Sequence, residues 1–258
     1  MAKLVFITGA SSGLGQVLAL RYYKEGFNLA LVARRILAIE TWAKSQNWPR
    51  ERYAVYSADV AEIDSIVAAG HACMAQQGVP DVVIACAGVS VGVDTAERED
   101  LDVMAQTFAT NNVGTAATFH PFLAAMKTRK SGTLVGIGSV NGIRGFAGHG
   151  ANCPSKAAMI IYCESLRLEL KSGGVRVVTI CPGYVATPLT RQNQMSMPFL
   201  IQPDDFADRA FKSIEAGVSY RVIPWQMGVV AKLLRILPNW AFDRAFAGRA
   251  RKARKVST

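Results

Sequence analysis

The sequence predicts one doubly wound α/β domain of the Rossmann type, a parallel sheet of about seven strands with helices on both faces. Three observations carry this. Apolar runs of strand length alternate with longer segments of helical period along all 258 residues. The runs are nearly continuous in Val, Ile and Leu, as in strands buried on both faces. Alternation of strand and helix requires right-handed crossovers, which lay helices on either side of one sheet. The length suits a single core, and the 50% hydrophobic content excludes a disordered chain.

Lys3–Thr8, Asn28–Ala33, Tyr53–Ala58, Val82–Cys86, Thr133–Gly138 and Val175–Cys181 are the predicted strands, with Tyr220–Ile223 as a short extension. Leu14–Glu25, Ile36–Gln46, Ile63–Gln77, Leu101–Lys130 and Ala157–Lys171 are the predicted helices. Gly114 interrupts the longest of them, where a glycine costs roughly 1 kcal/mol, so a kink or a close backbone approach is expected. Pro182-Gly183 ends the sixth strand at its carboxyl end, where such sheets place ligands. Residues 190–203 have weak periodicity and are expected to form a mobile substrate lid.

The first strand runs into Thr8-Gly9-Ala10-Ser11-Ser12-Gly13-Leu14-Gly15 and then a helix. Glycine permits the turn and lets backbone N–H groups approach a pyrophosphate, while the helix N-terminus faces the negative charge. The strand–turn–helix context makes this a dinucleotide signature. The second strand ends in Arg34-Arg35. An acidic residue there favours the ribose hydroxyls of NAD, whereas arginine suits a 2′-phosphate. NADP(H) is therefore the expected cofactor, with Arg34 the main contact and Arg35 or Ser11 assisting.

Five cysteines, without metal-like spacing, point to a reduced, cytoplasmic chain, and no metal is expected. No apolar run spans a bilayer, and the opening residues are too short for a signal-peptide core. The formal charge is +10, with Arg249, Arg251, Lys252, Arg254 and Lys255 crowding the end. A solvated tail is the first expectation. The sharper alternative is a weak membrane-surface contact through 225–258, where an apolar helical segment with two tryptophans precedes the basic tail. No nucleic-acid motif accompanies the charge, so no nucleic-acid partner is expected.

A second constellation follows. Gly150-Ala151-Asn152-Cys153-Pro154-Ser155-Lys156 begins eleven residues after Ser139, and Thr110-Asn111-Asn112-Val113-Gly114 lies upstream. With the glycine turn, these segments resemble the short-chain dehydrogenase/reductase family over roughly residues 3 to 190. The resemblance implies hydride transfer between nicotinamide and a carbonyl or alcohol carbon. Carried over by position, Ser139 orients the substrate oxygen and Lys156 holds the nicotinamide ribose. Asn111, with Asn112 the lesser candidate, holds a water linked to the lysine. Asp59-Val60 holds the adenine, and Ala87-Gly88, in Ala85-Cys86-Ala87-Gly88, approaches the adenosine ribose. Pro182-Gly183, Val185 and Thr187 contact the carboxamide. Gly9, Ser11, Ser12, Gly13, Leu14 and Gly15 cradle the phosphates.

The family places its proton-donating tyrosine four residues before the lysine, and here that position is Asn152. Residues i and i+4 share a helix face, and Pro154 is tolerated in a first turn. Asparagine can polarise a carbonyl but cannot deliver a proton. Losing a general acid costs about 10²- to 10⁴-fold in rate. His149, Tyr162 and Tyr184 are the candidate substitutes, and packing roles suit each better. Val89, Ser90, Val140, Asn141, Tyr184 and the lid suggest an apolar ketone or secondary alcohol as substrate. The resemblance thus implies an impaired or redirected NADP(H)-dependent oxidoreductase of the carbonyl reductase or alcohol dehydrogenase type. The alternative is a silent NADP(H)-binding protein, either a pseudoenzyme or a deliberately inactivated variant. It also implies a homodimer or homotetramer, paired through the Leu101–Lys130 and Ala157–Lys171 helices.

Overall fold

A computed structural model describes residues 2–191, 196–248 and 251–254. Seven strands form one parallel sheet: β1 (Leu4–Thr8), β2 (Asn28–Ala33), β3 (Tyr53–Ser57), β4 (Val82–Ala85), β5 (Thr133–Ile137), β6 (Arg176–Pro182) and β7 (Tyr220–Ile223). Their order is β3-β2-β1-β4-β5-β6-β7, so the winding reverses between β1 and β4. Val5 of β1 is in register with Leu29 on one side and Val82 on the other. Every residue of β1 and β5 is buried, because helices cover both faces. The edge strand β7 instead exposes Tyr220 and Arg221, and a charged edge discourages further pairing.

The crossovers are α1 (Gly13–Lys24), α2 (Ile36–Ser45), α3 (Ile63–Gln77), α4 (Arg98–Phe108), α5 (Gly114–Arg129) and α6 (Asn152–Leu170). A short helix α7 (Pro188–Arg191) follows β6, and α8 (Pro203–Glu215), α9 (Trp225–Ile236) and α10 (Asn239–Phe246) complete the chain. Two apolar cores result. One holds Leu18, Tyr22, Phe206 and Phe211 beneath α1 and α8, and the other holds Phe119, Phe122, Met159 and Leu166 beneath α5 and α6.

The expected single long helix is two helices. A π-helical turn over Ala109–Val113 separates α4 from α5. Gly114 follows it, and a Cβ there would stand 2.6 Å from the Val60 carbonyl oxygen. The interruption is thus a close backbone approach. The predicted lid is also more ordered in part. Val185 bridges Ile201, and Pro203 already opens α8, while residues 192–195 lie outside the described residues.

Over 251–254 the tail is largely exposed, as expected of a solvated segment, but it is docked on the body and not frayed. Arg254 bridges Gly92, its guanidinium donates to Asp100 at 2.6 Å, and Arg251 pairs with Asp94 at 3.0 Å. Opposite charges placed on the body by α4 and the loop before it capture the basic segment. Arg249 and Lys255 lie outside the described residues. The α9–α10 hairpin leaves Trp225, Ile236 and Trp240 exposed, and it docks through Phe242 and Phe246 on Phe146. No described helix is long and apolar enough to cross a membrane.

Candidate active site

The predicted residues gather at the carboxyl ends of β1, β4, β5 and β6, around the reversal of the winding. Gly9 has φ +70 and Gly13 φ +59, conformations that L side chains rarely adopt. Space forbids a side chain as well. A Cβ on Gly15 would lie 2.3 Å from the Gly9 carbonyl oxygen, and one on Gly9 would lie 2.8 Å from Ala87 Cα. The turn is therefore wedged between the start of α1 and the loop after β4. Ser12 caps α1 with its backbone only, and the first turn carries no acid. The positive end of α1 thus has no internal anion to compete with a phosphate.

Thr8 is a residue that sequence reasoning passed over. Its hydroxyl accepts from the N–H groups of Cys86 at 3.1 Å and Ala87 at 3.3 Å. These bonds tie the end of β1 to the loop after β4, in the place of support from the asparagine that the Ala85-Cys86 pair lacks. At the far end of the crevice, Arg34 Nη1 stands 3.4 Å from Asp59 Oδ2. The Arg34 side chain is 71% exposed, so this pair is weak and its guanidinium is available to a ligand. Arg35 caps α2 and is also exposed.

Asn111 sits in the π-helical turn, buried at 1% exposure. Its Oδ1 accepts from Val89 N at 2.9 Å, and its Nδ2 donates to Val89 O at 2.9 Å and to Ser155 Oγ at 3.0 Å. Ser155 Oγ in turn donates to the Asn152 carbonyl at 3.0 Å. Asn111 thus spends its amide on clamping the 88–90 loop to the first turn of α6. Ser155 is the second residue missed. Its signal was available, since a serine in a first helical turn next to Lys156 is placed for such a bond.

Lys156 reaches across α6 and donates from Nζ to the Ile137 carbonyl at 3.1 Å. A Cβ at Gly88 would stand 3.2 Å from Lys156 Nζ and 3.1 Å from Asn111 Oδ1, so glycine lets the two groups converge. Burial holds the Lys156 ammonium below the ordinary lysine range, partly countered by the Cys86 and Cys181 thiols. Both thiols are themselves pushed up by burial, Cys86 to about 12 and Cys181 to about 11. No carboxylate pairs with the lysine among the described residues.

Ser139 follows β5 and caps the turn Val140–Gly142, its hydroxyl accepting from Asn141 N at 3.1 Å. A Cβ on Gly142 would meet the backbone of Lys156 and Ala157 at 3.0 Å, which seats this turn directly on α6. Asn152 is the first residue of α6, 3% exposed, one turn before Lys156, and Pro154 lies in that same first turn.

The segment after β6 closes over the glycine turn. Thr187 Cβ lies 3.8 Å from where a Gly13 Cβ would be. Gly183 N donates to Ile223 O at 2.8 Å, and Ile201 N to Tyr184 O at 3.1 Å, fixing Pro182 through Thr187. Tyr162 instead packs against the apolar core, where burial pushes its hydroxyl up to about 12. A groove of about 510 Å³ on the outer side of α6 reaches Asn141 and Cys153 but not Ser139 or Lys156.

The short chain dehydrogenase family model matches residues 3–197. An uncharacterised oxidoreductase from Myxococcus xanthus is 36% identical over 94% of this chain and 96% of its own length. A short-chain dehydrogenase structure from Streptomyces avermitilis superposes with a TM-score of 0.80 at 23% identity, covering 95% of this chain and 98% of that one. An actinorhodin polyketide ketoreductase with NADPH gives a TM-score of 0.78 at 26% identity, over 88% of this chain and 97% of that one.

Proposed function

This chain belongs to the short chain dehydrogenase family, and from that premise we propose that it is an NADP(H)-dependent oxidoreductase acting on a ketone or secondary alcohol. The observation that carries the proposal is the convergence of Lys156 and Asn111 on Gly88, beside the wedged glycine turn. Hydride chemistry itself belongs to the nicotinamide when bound. The protein's part is to hold the two reactants and to manage one proton.

The turn from Gly9 to Gly15 and the start of α1 would take the pyrophosphate, and Arg34 the 2′-phosphate. Asp59 and Val60 would border the adenine, and Ala87 and Gly88 its ribose. Lys156 would hold the nicotinamide ribose, and Pro182, Gly183, Val185 and Thr187 its carboxamide. Ser139 would orient the substrate oxygen, with Val140, Asn141 and Tyr184 as walls. Asn152 would polarise that oxygen by donating a hydrogen bond, while the proton comes from elsewhere. Turnover is accordingly slow in this reading. The competing reading, a silent NADP(H)-binding protein, is favoured by Asn152 alone. The ketoreductase with NADPH supports the choice of cofactor. Two copies would pair through α4, α5 and α6, whose Leu101, Ile161 and Leu168 are exposed.

Titration of the protein with NADPH and NADH, followed by tryptophan fluorescence, tests the proposal. Saturable binding with NADPH preferred is expected. Failure of both nucleotides to bind would end it.

A further inference from the structure

A basic strap lies beside the catalytic cluster. Residues 251–254 run along the loop that follows Val89, backbone against backbone. A Cβ on Gly92 would stand 2.3 Å from Ala253 O, and one on Gly148 2.6 Å from Lys252 N. The two arginines of the strap are matched. Arg251 meets Asp94 at 3.0 Å, and Arg254 meets Asp100 at 2.6 Å and Glu97 at 3.6 Å. Lys252, between them, is not matched. Its ammonium donates to the Ser90 hydroxyl, and among the described residues no carboxylate lies within 4.0 Å of it.

Lys252 and Ser90 are both half-buried. His149 and Cys153 are its electrostatic neighbours. His149 is 8% exposed, and among the described residues neither ring nitrogen has a hydrogen-bond partner. Burial holds Lys252 below the ordinary lysine range. The location adjoins the cluster on two sides. Ser90 follows Val89, which is clamped to Asn111, and Cys153 follows Asn152.

A half-buried ammonium bonded only to a neutral hydroxyl and paired with no carboxylate among the described residues costs free energy, as does a buried imidazole with none of its bonds made. The nearby acids are already held by arginines. One anionic group would satisfy both cation and imidazole through charge-assisted bonds. We propose that Lys252, Ser90 and His149 form an anion subsite on the substrate side, taking a carboxylate or phosphate carried by the carbonyl substrate away from its reacting carbon. That the anion belongs to a carbonyl substrate rests on the oxidoreductase reading above, whereas the subsite does not. The Arg251 and Arg254 pairs latch the strap and so position Lys252.

The test uses the full chain, with and without saturating NADPH, and calorimetric titration of 4-oxo-4-phenylbutanoate and its methyl ester. The acid should bind about tenfold more tightly than the ester or better. Lys252→Met should abolish that ratio while keeping the melting temperature and the NADPH affinity, and Lys252→Arg should retain most of it. Competition by inorganic phosphate would mark a site fitted to phosphate, and its absence one fitted to carboxylate, the ratio holding in both. Equal binding of acid and ester by the parent chain overturns the subsite, as does a ratio that survives Lys252→Met. Retained discrimination without NADPH binding would sink only the oxidoreductase reading.

Discussion

The Lys156 ammonium donates to the Ile137 carbonyl oxygen at 3.1 Å, which pins the cation of α6 to the last residue of β5. No carboxylate pairs with it among the described residues, and burial disfavours its charge. A half-buried cation without a carboxylate partner is a stability cost. Lys156→Met should therefore leave the protein at least as stable to urea, yet weaken NADPH binding about tenfold or more. Paired unfolding and binding titrations check this. Lower stability with unchanged binding would assign Lys156 to structure.

Arg34 stands at the end of β2 with 71% of its side chain exposed and only a long contact to Asp59. Arg34→Ala should thus cost little stability. NADPH affinity should fall roughly 10- to 100-fold, the loss of a charge-assisted bond to phosphate, while NADH affinity holds. The ratio of the two dissociation constants, measured at low salt, reads this directly. An unchanged ratio would move the 2′-phosphate contact to Arg35 or Ser11.

His149 is held down to about 4 from 6.5, first by burial and then by Lys252. A proton taken up between these values enters the unfolded chain more readily than the folded one. Stability from this group is therefore complete above about pH 6.5 and declines as pH falls towards 4, by ~3 kcal/mol. Asp94 is held low first by the Ala96 N–H and Asp100 first by Arg254, and the stability lost on protonating them goes below about pH 4. His149→Leu should flatten the urea-midpoint profile between pH 6.5 and 4. An identical profile in the variant would place the titration elsewhere.

Strands were legible because burial on both faces leaves a local mark. Leu4–Thr8 and Thr133–Ile137 are fully buried and carry no polar residue but one threonine each. The glycine turn was legible because its strand and helix flank it in sequence. The break between α4 and α5 was half legible, for Gly114 announced a close approach but the π-helical turn before it has no simple pattern. Helix α8 went unread although it carries Pro203 at its start and buries Phe206, Ala210, Phe211 and Ile214 on one face. The hydrogen bonds that build the site were hidden for another reason. Thr8 meets Cys86, Asn111 meets Ser155, and Arg254 meets Asp100 across 154 residues. Such pairings follow from the tertiary fold and leave no periodicity to read.

The central claim is that this is a hydride-transfer site in which Asn152 occupies the position of the proton donor. The direct measurement is NADPH oxidation with a panel of aryl and aliphatic ketones, for this chain and for Asn152→Tyr side by side. The account predicts that the tyrosine variant turns over about 10²- to 10⁴-fold faster than its parent, at similar NADPH affinity. Comparable rates in the two chains, or none in either despite bound NADPH, would contradict it.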